Sequence, residues 1–293
     1  MKKTMEHFDA IPLNFRFGTE IVGLDLTESL NEEEKSQIIT LFNSASVLLF
    51  RNQTLTPGQL SAFTETFGKQ DIHHLAESTF PDHPEVRVLS NKKNADGTLI
   101  GAYKGGHHWH SDLCFKEIPG KATLLYGAEC PPEGADTLFA DMHSAYEDLR
   151  QDLKEKLEGR MATNDRNWRY SDLYPWRPAL TEEQITKVPP VQHPAVITHP
   201  QSGRRALFVT EMMVPHIDGM EDDVAQALVA EVEAFATQEK YVYRHKWQQG
   251  DLVVWDNRAT LHKATPFDDS KYDRMMYRTQ VLGEKPVFKP DAG

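Results

Sequence analysis

Cysteine is nearly absent: Cys114 and Cys130 are the only two in 293 residues, and neither sits in a CxxC or zinc-knuckle pattern. That excludes a disulfide framework and suits a reducing compartment. No apolar run approaches the length needed to span a bilayer. The start, Met1-Lys2-Lys3-Thr4-Met5-Glu6, is basic and then turns acidic and polar, which is not a secretory signal. A cytoplasmic protein is expected. Basic residues are in deficit, 32 Lys and Arg against 44 Asp and Glu, for a formal net charge of −12. Nucleic-acid binding needs a basic face and is argued against. A small anion needs only a few local arginines, so it stays open as a ligand, as does homo-oligomerisation. There is no internal repeat, low-complexity tract or shift in composition, and residues 1–293 are expected to form a single domain.

The remaining pattern is one of short strands with a few helices. Ile38, Ile39, Leu41 and Phe42 among acids and amides predict a helix over 32–43, followed by a buried strand at Val47-Leu48-Leu49-Phe50. Thr56-Pro57 has the form of an N-cap and first helical residue, with Gly68 as the stop. Leu149, Leu153 and Leu157 at intervals of four predict a helix over 144–158, and a further helix carries Val224, Leu228, Val232 and Phe235. Strands are predicted around 86–89, 122–126, 137–139, 195–198, 206–209, 241–243, 251–255 and 275–282. Residues 163–190, rich in Trp, Tyr, Arg and Pro without periodicity, are expected to be a lid or insertion. Together these elements suggest a β-sandwich or barrel with helices packed outside.

Thirteen histidines offer many candidate ligands, and a single histidine is usually structural. His110-Ser111-Asp112 differs, because in a strand residues i and i+2 share a face and can converge on one ion. Alone, this is a weak signal. Gly250 to Arg258 reads as a strand ending in a polar turn, with His262 close behind. Two imidazoles and one carboxylate make a ligand set that suits non-haem iron(II) and leaves positions open, whereas a structural zinc site is closed by four protein ligands. Arg274 and Arg278 follow, four apart. In a helix or a strand that spacing puts them on one face, able to grip a carboxylate, or they are solvated surface charges.

These segments resemble the taurine and 2,4-dichlorophenoxyacetate dioxygenase family. The resemblance rests on His110-Ser111-Asp112, Gly134-Ala135-Asp136-Thr137, Trp255-Asp256-Asn257-Arg258 with His262, and Arg274 with Arg278. Val47 to Gln53 and His199 to Phe208 add to it, and it extends from about residue 15 to 288. It implies a mixed, mainly β fold: a double-stranded β-helix (jelly roll) core with flanking α-helices. It also implies an iron(II)- and 2-oxoglutarate-dependent dioxygenase that consumes O2 and releases succinate and carbon dioxide. His110, Asp112 and His262 match the metal ligands; Thr137 and Arg274 match the residues holding the distal carboxylate of 2-oxoglutarate. Arg278 matches the arginine that meets the substrate anion, and His73 falls where the taurine branch has a substrate-contacting histidine.

A small anionic organic acid is therefore the expected substrate, hydroxylated or desaturated. Tyr103 and Lys104 precede the metal motif and are expected to border the pocket, Lys104 either pairing with the anion or facing solvent. Gly106 stands where the taurine branch has an asparagine, which speaks against taurine itself. Trp168, Tyr170, Tyr174 and Trp176 either line the site or pack the long segment onto the core. If they line it, an aromatic acid fits, and a tyrosine-derived isonitrile acid is the specific alternative. A zinc hydrolase and a non-catalytic binding protein are the rival classes.

Overall fold

The computed structural model describes residues 8–14, 16–72, 78–103 and 105–290, with the backbone of 3–4. The first part runs β1 (Lys3–Thr4), β2 (Asp9–Pro12), β3 (Thr19–Val22), α1 (Glu32–Ala45), β4 (Val47–Phe50), α2 (Pro57–Thr64), β5 (Thr79–Phe80) and β6 (His83–Ser90). The middle holds β7 (Gly120–Glu129), β8 (Thr137–Asp141), α3 (Met142–Asp148), α4 (Gln151–Leu157), β9 (Met161–Asn164), α5 (Tyr170–Leu173), α6 (Glu182–Lys187) and β10 (Val191–Pro194). Then come β11 (Val196–Thr198), β12 (Arg205–Leu207), β13 (His216–Ile217), α7 (Asp222–Ala236), β14 (Val242–His245), β15 (Leu252–Asp256), β16 (Thr260–Ala264) and β17 (Met275–Leu282). Among the described residues, no helix is long and apolar enough to cross a membrane.

Both early helices start where their caps dictate. The Asn31 side chain accepts from Glu34 N, and the Glu34 side chain accepts from Asn31 N; Thr56 and Gln59 repeat the arrangement with Pro57 at the first helical position. Each cap satisfies backbone donors that a helix start leaves open. After α2, a short 3-10 turn over Glu65–Phe67 ends at Gly68, whose φ of 133° suits glycine.

Nine strands form one sheet in the order β1-β2-β3-β4-β15-β7-β17-β6-β5, and three form another in the order β14-β8-β16. Strand alternation divides the large sheet's residues cleanly. Leu48, Phe50, Leu124, Tyr126, Leu252, Val254 and Val281 pack with Ile38 and Phe42 of α1 and Leu60 and Phe63 of α2. Val47, Leu49, Leu125, Val253, Trp255 and Met276 face the other way and pack with Phe139 of β8. The two sheets thus meet through one apolar layer, and the Phe139 and Trp255 rings lie 5.3 Å apart. A separate core joins α3, α4 and α7 to β11 and β12.

Two expected elements differ. The helix expected over 144–158 is two helices, because Leu149 and Arg150 are extended at ψ 143° and 144°. Leu149, Leu153 and Leu157 are all buried nonetheless, and a four-residue spacing of buried leucines does not register the break between them. The Asp141 side chain starts α3 early by accepting from His143 N and Ser144 N. Residues 163–190 also contain regular structure: α5, and α6 with its own Thr181–Gln184 capping box but no buried residue.

Gly250 ties β7 to the segment after β4 at φ 84°: its N–H donates to Gly127 O and its carbonyl accepts from Gln53 N. A Cβ there would stand 2.7 Å from Gln53 O. Gly250→Ala combines a left-handed backbone with a clash against main chain. We expect it to lower unfolding free energy by about 2 kcal/mol or more. A urea midpoint equal to that of the parent would contradict this.

Candidate active site

His262 lies on β16, which pairs with β8. Its other edge is met by the segment before the turn: His110 N donates to His262 O at 3.1 Å, His262 N donates back to His110 O at 2.9 Å, and Ala264 N donates to Gly106 O at 2.6 Å. This two-way bridge sets the imidazoles with ring centroids 4.2 Å apart. The expectation that residues 110–112 form a strand is not met. His110 makes that single bridge, and the chain then turns, with Leu113 at φ 58° and Lys116 N donating to Leu113 O. The turn still brings the carboxylate to the imidazoles. Potential ligand atoms of His110, Asp112 and His262 all lie within 4.8 Å of one another.

His110 Nδ1 is 2.8 Å from His108 O, so Nδ1 donates and Nε2 keeps its lone pair. His110 Nε2 is 3.9 Å from Asp112 Oδ1, and His262 Nε2 is 3.7 Å from Asp112 Oδ2. Burial opposes ionisation of Asp112, but His262, Arg278 and His110 outweigh it and hold the carboxyl down to about 2. Burial, followed by the charge of His110, pushes His262 down to about 3. At neutral pH the pair therefore offers an anionic oxygen and a neutral nitrogen, the states a cation requires. Two nitrogens and one oxygen, closely spaced and largely screened from water, fit iron(II).

The layer behind the ligands comes from the Trp255-Asp256-Asn257-Arg258 turn between β15 and β16. Asn257 Oδ1 accepts from Asp112 N at 3.1 Å, and its Nδ2 donates to Thr123 Oγ1 at 2.9 Å. Thr123 Oγ1 in turn donates to Asp112 Oδ2 at 2.7 Å, while Ser111 Oγ donates to Asn257 O. Trp255 packs its ring 4.7 Å from that of His262. Asp256 is fully buried, accepts from Arg258 Nε at 2.9 Å and Nη2 at 2.7 Å, and lies 3.0 Å from His199 Nε2. Burial opposes its charge, but Arg258 first and His199 next hold its carboxyl far below the usual range. Arg258 also donates to Gln201 and Glu284.

Arg278 projects from β17 between the sheets, with Nη1 3.8 Å from Asp112 Oδ1. Arg274 precedes β17, anchored by Asn91 Oδ1 at its N–H and by Ser90 Oγ at its carbonyl. Burial lowers its guanidinium to about 10, with Cys130 acting the other way. A bulge between Met275 and Met276 interrupts the alternation, so spacing alone does not put the two arginines on one face. Arg278 stands at Asp112, and Arg274 near Cys130. Thr137 accepts at Oγ1 from Trp247 Nε1 at 3.0 Å. A Cβ on Gly127 would be 2.7 Å from Cys130 Sγ and 3.4 Å from Trp247.

Residues 9–280 match the family described as taurine catabolism dioxygenase TauD, TfdA family. The chain belongs to that family. It is 34% identical over 292 residues to the alpha-ketoglutarate-dependent 2,4-dichlorophenoxyacetate dioxygenase of Cupriavidus pinatubonensis, covering 95% of this chain and 99% of that one. It is 31% identical to an alpha-ketoglutarate-dependent sulfate ester dioxygenase of Pseudomonas putida, covering 95% and 91%. The crystal structure of AAD-2 with Mn(II) and N-oxalylglycine superposes with a TM-score of 0.82 at 29% identity, covering 97% and 99%. TauD/TfdA membership makes the chain a 2-oxoglutarate-dependent dioxygenase using iron(II) and O2. It gives no support to the hydrolase or binding-protein readings, or to the isonitrile-acid alternative.

Within this TauD/TfdA chain, the structure brings together His110, Asp112, His262 and Arg278. Tyr103 is half-buried, next to Ala102, whose N–H donates to Val88 O of β6. His73 and Lys104 lie outside the described residues. Thr123 and Asn257 do not stand out as site residues in the sequence, although Asn257 belongs to a recognised motif. Arg87 is missed as well. Its only signal is a charge inside the apolar run Val86-Arg87-Val88-Leu89.

Proposed function

We propose that this dioxygenase oxidises a small anionic organic acid in a pocket between the two sheets, and that the paired sheets form a double-stranded β-helix. The carrying observation is the convergence of His110, Asp112 and His262, with Arg278 3.8 Å from the carboxylate. His110, Asp112 and His262 would hold iron(II), and Arg274 with the Thr137 hydroxyl would take the distal carboxylate of 2-oxoglutarate. When bound, iron(II) and 2-oxoglutarate supply the O2-dependent oxidation that releases succinate and carbon dioxide. The chain's own groups position and exclude. Thr123 and Asn257 fix the Asp112 carboxylate, the His108 carbonyl fixes the His110 ring, and Trp255 and Phe139 wall the His262 side against water.

Arg278, 3.8 Å from the Asp112 carboxylate, would hold the substrate's anionic group. Both named relatives act on anions carried by small organic bodies, a phenoxyacetate and a sulfate ester, which supports the same for this chain. Residues 163–190 would serve as the lid: a Cβ on Gly105, in the loop before the metal motif, would lie 3.9 Å from Arg177 Nη2. Of its aromatics, Trp176 is 53% exposed and Trp168 donates to Met212 O, so these two serve the segment's packing and surface.

Anaerobic protein given iron(II) and 2-oxoglutarate should develop a visible metal-to-ligand charge-transfer band, and air with a suitable acid should yield succinate. No band and no succinate across a panel of acids would sink the reading. Arg274→Gln should weaken 2-oxoglutarate binding about ten- to one-hundred-fold, the worth of a charge-assisted hydrogen bond to a carboxylate. Band intensity titrated against 2-oxoglutarate reads it directly, and an unchanged midpoint would remove Arg274 from the role.

A further inference from the structure

Residues 163–190 connect two paired strands, β9 and β10, and both ends of that connection reach the turn that follows Asp112. His193 of β10 stands across from Ala162 of β9. Its side chain is fully buried and meets the Phe208 ring edge-on at 5.7 Å. His193 Nε2 lies 2.9 Å from Lys116 O, and a carbonyl only accepts, so Nε2 carries the hydrogen. Lys116 closes the turn, its own N–H donating to Leu113 O at 2.9 Å. From the other end, just past β9, Arg166 lies over the Phe115 ring of the same turn at 5.3 Å.

The turn needs such support. Leu113 has a φ of 58°, a left-handed conformation that persists in a leucine only where the surroundings hold it. Asn257 holds the near side, at Asp112 N. Lys116 is held at its side chain by Asp71, 2.8 Å away, and at its carbonyl by His193. The ion pair is partly exposed and contributes little, whereas the bond from His193 lies in a dry core, where a hydrogen bond is stronger. As mere filling, an imidazole is a costly choice there. Burial lowers its pKa, against the pull of the Lys116 and Cys114 backbone, so at neutral pH the ring is neutral with one hydrogen to give. Its Nδ1 meets no partner among the described residues. An apolar ring would avoid that unmet nitrogen. What the imidazole adds is the donor to Lys116 O.

We propose that His193 is a positioning residue for Asp112, holding the turn that aims its carboxylate, and that it couples metal binding to order in residues 163–190. The coupling is reciprocal by linkage: a cation that steadies Asp112 steadies β10 through the turn, and loosening β10 weakens the cation. It rests on the metal site of the oxygenase reading but is read without turnover.

Mn(II) affinity is measured from the free-ion EPR signal, and hydrogen exchange is followed by mass spectrometry with and without saturating Mn(II). In the parent, Mn(II) should slow exchange of peptides from 163–190 about three-fold or more, and leave α1, in a different core, unchanged. His193→Phe keeps the ring and loses the donor. It should weaken Mn(II) about ten- to one-hundred-fold, the usual loss when a group that orients a metal ligand is removed. It should also abolish the slowing in 163–190 even at saturation. His193→Gln, whose amide reaches as far as Nε2, should restore both; His193→Asn, whose amide stops short, should not. A histidine that only fills the core would lower the melting temperature in all three variants and leave the Mn(II)-dependent slowing intact. Should His193→Phe fail to fold, the contrast between the glutamine and asparagine variants decides. Parental affinity and slowing in His193→Phe overturn the proposal, as does equal behaviour of His193→Gln and His193→Asn. So does a parent that binds Mn(II) without slowing in 163–190; each of these leaves the oxygenase reading standing. A parent that binds no Mn(II) sinks the oxygenase reading and the proposal with it.

Discussion

Asp112→Ala should leave the protein without bound iron and lower succinate formation by about a thousand-fold or more, the largest functional effect of any single change here. Asp112 is the one carboxylate among the three converging residues, and its oxygens stand 3.9 and 3.7 Å from the two imidazole nitrogens. Without it, two imidazoles face the positive charge of Arg278, which repels a divalent ion. The effect on the metal-free fold has a definite sign. A carboxyl held at about 2 rather than near 3.8 stabilises the folded state above the unfolded value and loses that contribution as pH falls towards 2. At neutral pH this is worth roughly 2 kcal/mol, so the alanine variant should also melt earlier as apoprotein. Iron content after anaerobic loading, together with succinate release, is the check. A variant that kept stoichiometric iron and near-parental turnover would remove Asp112 from the ligand set.

The three converging residues are legible because their chemistry is in their identities. Two histidines and an aspartate are a recognisable set wherever the backbone brings them together, and here it does so by a route the sequence does not show. The pattern predicts a strand at His110-Ser111-Asp112; the structure instead uses one bridge to His262 and a turn with Leu113 in the left-handed region. Caps carry their message at Asn31 and Thr56, where partner and backbone are three residues apart. Thr123 and Asn257 cannot be found in that way. The hydrogen bond joining them spans 134 positions, and neither residue type announces that it braces a ligand. Arg87 shows the same limit. A charge within an apolar strand is visible, but that it faces Arg278 depends on the β6–β17 register.

Asp256→Ala should cost about 3–5 kcal/mol of stability, more than any other substitution argued for this chain. Its carboxylate is fully buried and serves two partners at once, gripped by Arg258 from both Nε and Nη2 and met by His199 Nε2. Removing it strands a guanidinium that is 4% exposed. Gln201 and Glu284 reach only Arg258 Nη1, and so cannot take over the hydrogen bonds that Nε and Nη2 make to Asp256. His199 would keep its Ser202 partner at Nδ1 and be left without one at Nε2. The damage should spread to the metal, because Asp256 begins the turn whose next residue, Asn257, holds Asp112. Thermal melts should fall by roughly 10 °C, and added iron should restore less of that loss than it adds to the parent protein. Because the Asp256 carboxyl is held so far below the usual range, the parent should keep this contribution down to strong acid. A variant melting within a degree or two of the parent would mean that Arg258 finds other partners, and that the turn is held by Trp255 and Asn257 alone.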